Sequence, residues 1–338
     1  MDKEPLLRID NNEELRRKLL PYCRLKFGEI WKDSISGHKV GCLDATDKNH
    51  INDLMSKNKS VLAIQDPPYN VIVGNSNTKN LGKISLKEYI NWSKLWTKNT
   101  IDILGNNSHF YIWLGADQNE GFQPLPDFIV MMREFDQVKS RSFITMRNQR
   151  GYGTQKNWMA VRQELLYYIK GNPSFSVTYT DIPKILNGYY KETNGERVDN
   201  LSRSKSDKIR PGNVWVDIQQ VFYRMEENAP GCYAQKPLKS TERIILTSSE
   251  ENDLVIDFFA HAGTTLIASE KLKRQCFTID NDPIFAEITI RRLENFRKTG
   301  KVGWQVKNPF PEVASELNLK DVEDIKIPQL KIGQIALL

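Results

Sequence analysis

The sequence predicts an α/β fold, a mostly parallel sheet with helices on both faces, and three stretches predict it. Residues 108–171 alternate patterns: Ser108–Leu114 reads as a strand, Leu125–Phe135 as a helix, Ser142–Met146 and Glu164–Lys170 as strands ended by Gly171. Val61–Ile64 is a short apolar run stopped by Pro67 and Pro68. Far down the chain, an apolar strand at Asp253–Ala260 leads through the small-residue turn His261–Thr265 into a helix, Leu266–Arg274. A second strand, Cys276–Asp280, follows. This is a strand, turn, helix, strand unit with an acid at each strand's end.

Composition sets the bounds. A chain of 338 residues buries a sizeable core and fits one large domain, alone or with a sizeable insertion. Hydrophobic content of 39% and charged content of 27% are ordinary for a soluble protein. A net charge of +6 and a pI near 8.9 permit a polyanionic partner without demanding one. No apolar run approaches membrane-spanning length, and Met1-Asp2-Lys3-Glu4 is no secretory signal, so a cytoplasmic protein with no membrane partner is expected. Cys23, Cys42, Cys232 and Cys276 are scattered, which predicts free thiols. The four histidines lack metal-ligand spacing, so neither a metal site nor a histidine-based nucleophilic triad is expected.

In chain order, residues 1–37 are polar and helix-prone and read as an N-terminal helical cover. Val40–Asp44 reads as a short strand ending in an acid, and Asp47 as the cap of a helix through Asn52–Met55. Residues 71–83, rich in Asn, Gly and Lys, predict a mobile loop able to close over a bound ligand. Residues 85–104 show helical spacing of Leu86, Tyr89, Ile90, Trp92, Leu95 and Trp96. Arg147–Trp158 is basic, glycine-bearing and aromatic, and reads as a phosphate-contacting loop. Alternation then weakens over residues 172–235, where Tyr189, Tyr190, Arg197, Arg203, Lys205, Lys208 and Arg210 interleave rings with cations. That pattern suits nucleic acid.

The stretch Asp66-Pro67-Pro68-Tyr69 has the chemistry of an amine site. The prolines stiffen the turn and leave carbonyls free. A carboxylate and a carbonyl can both accept hydrogen bonds from an exocyclic NH2, while a ring stacks on the base that carries it. The second unit suits a nucleoside-bearing cofactor. Its turn allows close backbone approach, its helix N-terminus and threonine hydroxyls can hold a carboxylate, and Asp280 stands where an acid accepts ribose hydroxyls. The absence of Gly-x-Gly-x-x-Gly and of Gly-Lys-Ser/Thr weighs against dinucleotides and nucleoside triphosphates.

In that order the two units resemble the β class of DNA amino-methyltransferases of restriction-modification systems, over about residues 38–305. Asp257-Phe258-Phe259-Ala260-His261-Ala262-Gly263-Thr264-Thr265 is similar to the family's Asp-x-Phe-Ala-Gly-Ser-Gly-Thr-Thr, with His261 for the first glycine and Ala262 for the serine. Gln235-Lys236-Pro237 is similar to its Gln-Lys-Pro element, and Leu43-Asp44 resembles the Gly-Asp segment that meets the cofactor's adenine.

The resemblance implies a Rossmann-like methyltransferase fold using S-adenosylmethionine. It implies a catalytic half at 38–171, a target-recognition insertion at 172–235, a cofactor half at 236–305 and a C-terminal extension at 306–338. Asp66, Pro67, Pro68 and Tyr69 would form the catalytic site. Asp44, Lys236, Pro237, Asp257, Phe259, Gly263, Thr264, Thr265 and Asp280 would bind the cofactor, with no metal. The implied substrate is double-stranded DNA, with a flipped-out adenine N6 as acceptor because the family pairs Asp-Pro-Pro-Tyr with adenine. Cytosine N4, a protein glutamine, RNA, and a non-catalytic DNA-binding subunit remain as alternatives. A cognate restriction endonuclease and a homodimer are left open.

Overall fold

The structure is a computed structural model that describes residues 9, 12–68, 84–115, 122–152, 158–183, 190–199, 206–219, 221, 225–232, 235–305 and 308–313, the side chains of 148–152, 190–193 and 197–199 excepted. Its centre is a nine-stranded sheet. The strands in chain order are β1 (Ile30–Lys32), β2 (Lys39–Cys42), β3 (Ser60–Gln65), β4 (Leu104–Leu114), β5 (Lys139–Tyr152), β6 (Ala160–Lys170), the separate hairpin pair β7 (Tyr190–Thr193) and β8 (Glu196–Asp199), then β9 (Val214–Trp215), β10 (Leu254–Asp257) and β11 (Gln275–Asp280). The spatial order is β1-β2-β11-β10-β3-β4-β6-β5-β9. From β2 to β4 every neighbour is parallel, while β1, β6 and β5 add antiparallel pairs on the flanks. The expected mostly parallel sheet is therefore present.

Seven helices are described: α1 (Glu13–Leu19), α2 (Lys48–Met55), α3 (Leu86–Ile103), α4 (Leu125–Met132), α5 (Leu238–Ser248), α6 (Thr264–Lys271) and α7 (Pro283–Thr299). They cover both faces, and the period-two alternation of the strands decides which residue meets which layer. Ala63, Phe110, Ile112, Ile256 and Phe277 pack against α2, α3 and α4. Their neighbours Leu62, Ile64, Tyr111, Trp113, Val255 and Cys276 pack against α5, α6 and α7. Parallel strands buried on both faces require such continuous apolar runs.

Local signals explain the helix starts. Asp47 caps α2, its Oδ1 accepting the Asn49 amide at 2.8 Å. Ser85 and Glu88 close a capping box at α3. The four cysteines are free, as expected.

Three expectations need correction. The N-terminal cover is more than helix, because Ile30–Lys32 joins the sheet edge through Trp31↔Val40. Arg24 pairs with Glu287 and Glu294, and Arg297 with Asp33, which ties this segment to α7. The helix from Leu125 ends at Met132, and the one expected at Leu266–Arg274 runs from Thr264 to Lys271, each ending three residues early. The supposed loop from Arg147 is strand through Tyr152, pairing Arg147↔Arg162 and Tyr152↔Ala160. Cross-strand pairing overrode the weak strand propensity of Arg, Asn, Gln and Gly. Residues 153–157, the loop 71–83 and residues 314–338 lie outside the described residues.

Candidate functional site at the carboxyl edge of the sheet

Four acids stand at the carboxyl ends of four adjacent parallel strands. Asp44 lies two residues past β2, Asp280 ends β11, Asp257 ends β10 and Asp66 follows β3 directly. Neighbouring strands are about 4.8 Å apart, so the row spans about 14 Å. The strands carrying Asp66 and Asp257 are nearest neighbours, paired at Val255↔Leu62 and Ile256↔Ala63, although 191 positions separate the two acids in sequence. Past those pairs β3 and β10 part, and a cleft opens between them. Ile64, Asp66, Trp113, Lys236, Asp257, Phe259, Thr264 and Thr265 are among its walls.

On the β3 side, Asp66 is partly exposed, Pro67 is buried and Pro68 is exposed; Tyr69 lies outside the described residues. Both Asp66 oxygens accept hydrogen bonds from Lys236 Nζ at 2.8 Å. The Lys236 side chain is only 8% exposed, and its ammonium lies 5.4 Å from the centre of the Trp113 ring. Lys236 therefore faces the acid of the first motif, where the sequence placed it on the cofactor wall. Its backbone still belongs to that wall, for the Lys236 carbonyl accepts from Thr264 Oγ1 at 3.4 Å. Pro237, buried, opens α5 directly after it.

On the β10 side, Asp257 is closed in by neutral donors. Thr265 Oγ1 donates to its Oδ2 at 2.6 Å and the Phe259 amide to its Oδ1 at 2.9 Å. Burial pushes its carboxyl up to about 7. Asp280 is held the same way: the His261 amide donates to Oδ2 and the Asp282 amide to Oδ1, each at 3.0 Å. Burial and then the neighbouring Asp282 push it up to about 7. Asp44 Oδ1 accepts the Thr46 amide and hydroxyl at 2.8 Å, and Leu43 donates to the Asp280 carbonyl, which locks the two strand ends together.

The turn before α6 keeps the shape that glycine would serve. His261 has φ 44°, in the left-handed region, at the position where the resemblance expected glycine. A non-glycine residue there costs about 1–2 kcal/mol. Its amide bond to Asp280 and its ring, 4.8 Å from Phe285, hold it in place. Gly263, φ 71°, caps α6, and a side chain there would meet Thr289 at 3.0 Å. His261 thus carries backbone strain, and Gly263 sits where the fold leaves no room for a side chain.

Two contributors were not legible in the sequence. Gln65 is fully buried, and its Oε1 accepts the Phe258 amide at 2.8 Å just where the β3–β10 ladder ends. Arg292, fully buried on α7, donates to the Ala262, Glu227 and Val302 carbonyls and to Thr264 Oγ1, clamping the turn from below. A glutamine at a strand end and an arginine on an amphipathic helix both read as surface residues, so no sequence signal marked them.

The donor set fits a cationic, nucleoside-bearing ligand. Asp257, buried, and Asp280, half-buried, are held by uncharged amides and a hydroxyl, and each carboxylate oxygen keeps lone pairs after accepting one of these. A positive group and ribose hydroxyls would meet both deficits. Among the described residues no cluster has metal-ligand geometry, and no helix is long and apolar enough to cross a membrane. In the insertion, Lys208 and Arg210 are described, whereas Tyr189, Arg203 and Lys205 lie outside the described residues and the side chains of Tyr190 and Arg197 are not described.

Comparison with known proteins agrees with this geometry. A family profile described as DNA methylase matches residues 61–291. The type II methyltransferase M.HpaI of Haemophilus parainfluenzae is 26% identical over 242 residues, 71% of this chain and 70% of that protein. The type II methyltransferase M1.MboII of Moraxella bovis is 26% identical over 272 residues, 76% of this chain and 96% of that protein. The DNA adenine methyltransferase YhdJ of Escherichia coli is 25% identical over 236 residues, 69% and 76% of the two chains. Among solved structures, the cytosine-N4-specific PvuII DNA methyltransferase shares the fold with a TM-score of 0.50 at 14% identity, covering 70% of this chain and 82% of that one.

Proposed function

Because the chain belongs to the DNA methylase family, a family of N6 and N4 DNA methyltransferases, we propose that it transfers a methyl group from S-adenosylmethionine to the N6 amino group of adenine in duplex DNA. The observation that carries this reading is the pairing of β3 with β10, which sets the Asp66 and Asp257 ends side by side across one cleft. Transfer between bound partners requires reacting atoms within a few ångströms, in line.

S-adenosylmethionine, when bound, supplies a methyl group already activated on a sulfonium. Asp280 would accept the ribose hydroxyls of the cofactor and Asp44 would hold its adenine end. Asp257, Phe259, Gly263, Thr264, Thr265 and Pro237 shape the remaining wall. Asp66 Oδ and the Pro67 carbonyl accept the two amino hydrogens of the target base, which leaves the nitrogen lone pair free toward the methyl. Lys236 Nζ donates to both Asp66 oxygens and so fixes the carboxylate at the mouth of the cleft. Pro68 stiffens the turn and Tyr69 stacks on the base. A base inside a duplex cannot reach such a site, so it is flipped out of the stack. Residues 38–171 then serve as the catalytic half, 236–305 as the cofactor half and 172–235 as a recognition insertion. The likeness to type II methyltransferases supports a role in protecting a DNA sequence from a cognate restriction endonuclease.

Adenine is favoured by aspartate at the first motif position and by the likeness to YhdJ. Cytosine N4 is the second reading, which the PvuII fold keeps in view. Nucleoside mass spectrometry of plasmid from cells making the protein separates them: N6-methyladenine is expected, and N4-methylcytosine in its place would overturn the choice of base. Asp66→Ala should slow transfer at least about a hundredfold and leave S-adenosylmethionine affinity within about threefold by calorimetry. An equal loss of affinity would place Asp66 on the cofactor instead.

A further inference from the structure

The β5–β6 ribbon stands beyond the carboxyl edge of the sheet, on the side where the cleft opens. β6 pairs with β4 as far as Glu164↔Leu114, and β4 ends there. The ribbon continues, with Arg147↔Arg162 and Tyr152↔Ala160 as its outer pairs. Ala160 is four residues past Glu164, so the paired part rises about 14 Å above the strand ends at about 3.4 Å per residue. Only β4 separates β6 from β3, which places the ribbon about 10 Å to one side of Asp66. At its outer end Trp158 is 93% exposed and Met159 59% exposed.

Two features of this ribbon are unfavourable in water. Arg147 and Arg162 face each other directly across the ladder, and like charges so placed destabilise a hairpin. Arg162 also lies 3.4 Å from Glu164, which offsets part of that repulsion. Trp158 and Met159, side by side, turn large apolar surfaces to solvent. A polyanion with apolar edges relieves both. The major groove of B-DNA admits a two-stranded β-ribbon, with phosphates at its rims and thymine methyls and base edges at its floor.

We propose that the β5–β6 ribbon is an arm that enters the major groove of duplex DNA beside the target base, Arg147 and Arg162 pairing phosphates on its shaft and Trp158 and Met159 meeting base edges at its tip. This rests on the reading of the chain as a DNA methyltransferase and gives the ribbon a DNA contact of its own, separate from the insertion at 172–235. It also assigns these residues a role apart from the chemistry, since the arm stands about 10 Å to one side of Asp66 and rises beyond the strand ends.

The test uses the full-length protein with S-adenosylhomocysteine, and two duplexes: one carrying the sequence found methylated by modified-base sequencing of plasmid, and one of shuffled sequence. Arg147→Gln with Arg162→Gln should weaken binding to both duplexes. It should reduce the slope of log affinity against log salt by about 1.8, at about 0.9 per phosphate contact. Trp158→Ala should weaken the methylated sequence at least about tenfold over the shuffled one, with the salt slope unchanged. An unchanged slope in the arginine variant, or a Trp158→Ala effect within twofold, would overturn the arm. Cofactor affinity, measured by calorimetry on every variant, should equal wild type; a parallel loss would mean a damaged fold and would equally overturn the assignment. Failure of Asp66→Ala to slow transfer would strike the methyltransferase reading instead, so the two failures are distinguishable.

Discussion

Replacing Asp257 by asparagine should make the ligand-free protein less sensitive to alkaline pH. Asp257 is 4% exposed and burial pushes its carboxyl from 3.8 up to about 7. A carboxyl raised in the folded state holds its proton there more tightly than in the unfolded chain. Its contribution to stability is therefore full below the unfolded value of 3.8 and is lost as pH rises through about 7. Between pH 5 and pH 9 that loss is about 3 kcal/mol, from about two units of binding difference still present at pH 5. Unfolding entropy near 2.1 cal/mol/K per residue gives about 0.7 kcal/mol per kelvin over 338 residues, so the loss equals about 4 °C. Asparagine keeps the acceptor for the Phe259 amide and can donate to Thr265 Oγ1, so the geometry survives. Groups remote from Asp257 cancel in the difference; Asp280, which the Asp257 charge also pushes up, is relieved in the variant, and this flattens its curve further. Melting temperatures measured in matched buffers from pH 5 to pH 9 should fall about 4 °C more for wild type than for Asp257→Asn. Parallel curves would refute the reasoning and show that Asp257 is ionised in the free protein throughout.

Asp280→Ala should weaken S-adenosylmethionine by at least about tenfold, because charge-assisted hydrogen bonds to two hydroxyls are lost, while affinity for duplex DNA holds; calorimetry that finds cofactor affinity intact would make Asp280 a strand-end residue only. Lys236→Met should slow transfer about tenfold or more, about 1.4 kcal/mol, and weaken cofactor binding much less, because Nζ lies on Asp66. Equal losses in a single-turnover assay and a cofactor titration would return Lys236 to the cofactor wall. Gln65→Met leaves the buried Phe258 amide without its acceptor, which costs about 1–3 kcal/mol. It should lower the melting temperature by a few degrees, speed hydrogen exchange at that amide and slow transfer by up to about a hundredfold; a rate within twofold of wild type would show that the bridge positions nothing.

The two halves of the site are legible in the chain because each is local. A strand stopped by Pro67 and Pro68, and a small-residue turn between Asp257 and Thr265, announce themselves within ten residues. The helix starts at Asp47 and Ser85 follow from side chains that bond amides two or three positions on. The extent of β5 is not legible, since Arg147–Tyr152 has no strand propensity of its own and is held by β6. The placement of β1 in the sheet escapes for the same reason: three residues carry no periodicity, and Val40 supplies the partner.

The sequence by itself determined the α/β class, the acids at the strand ends and the order of the two motifs, because alternation, proline and glycine act over a few residues. Only the tertiary structure decided that β3 and β10 are neighbours, that Asp66 faces Lys236, that Gln65 joins the two halves while Arg292 clamps the turn before α6, and that His261 carries a glycine's backbone. These contacts join positions from 28 to 193 residues apart. Their partners are chosen by how the layers pack and by which buried amides and carbonyls would otherwise be left unpaired, and no window along the chain records that choice.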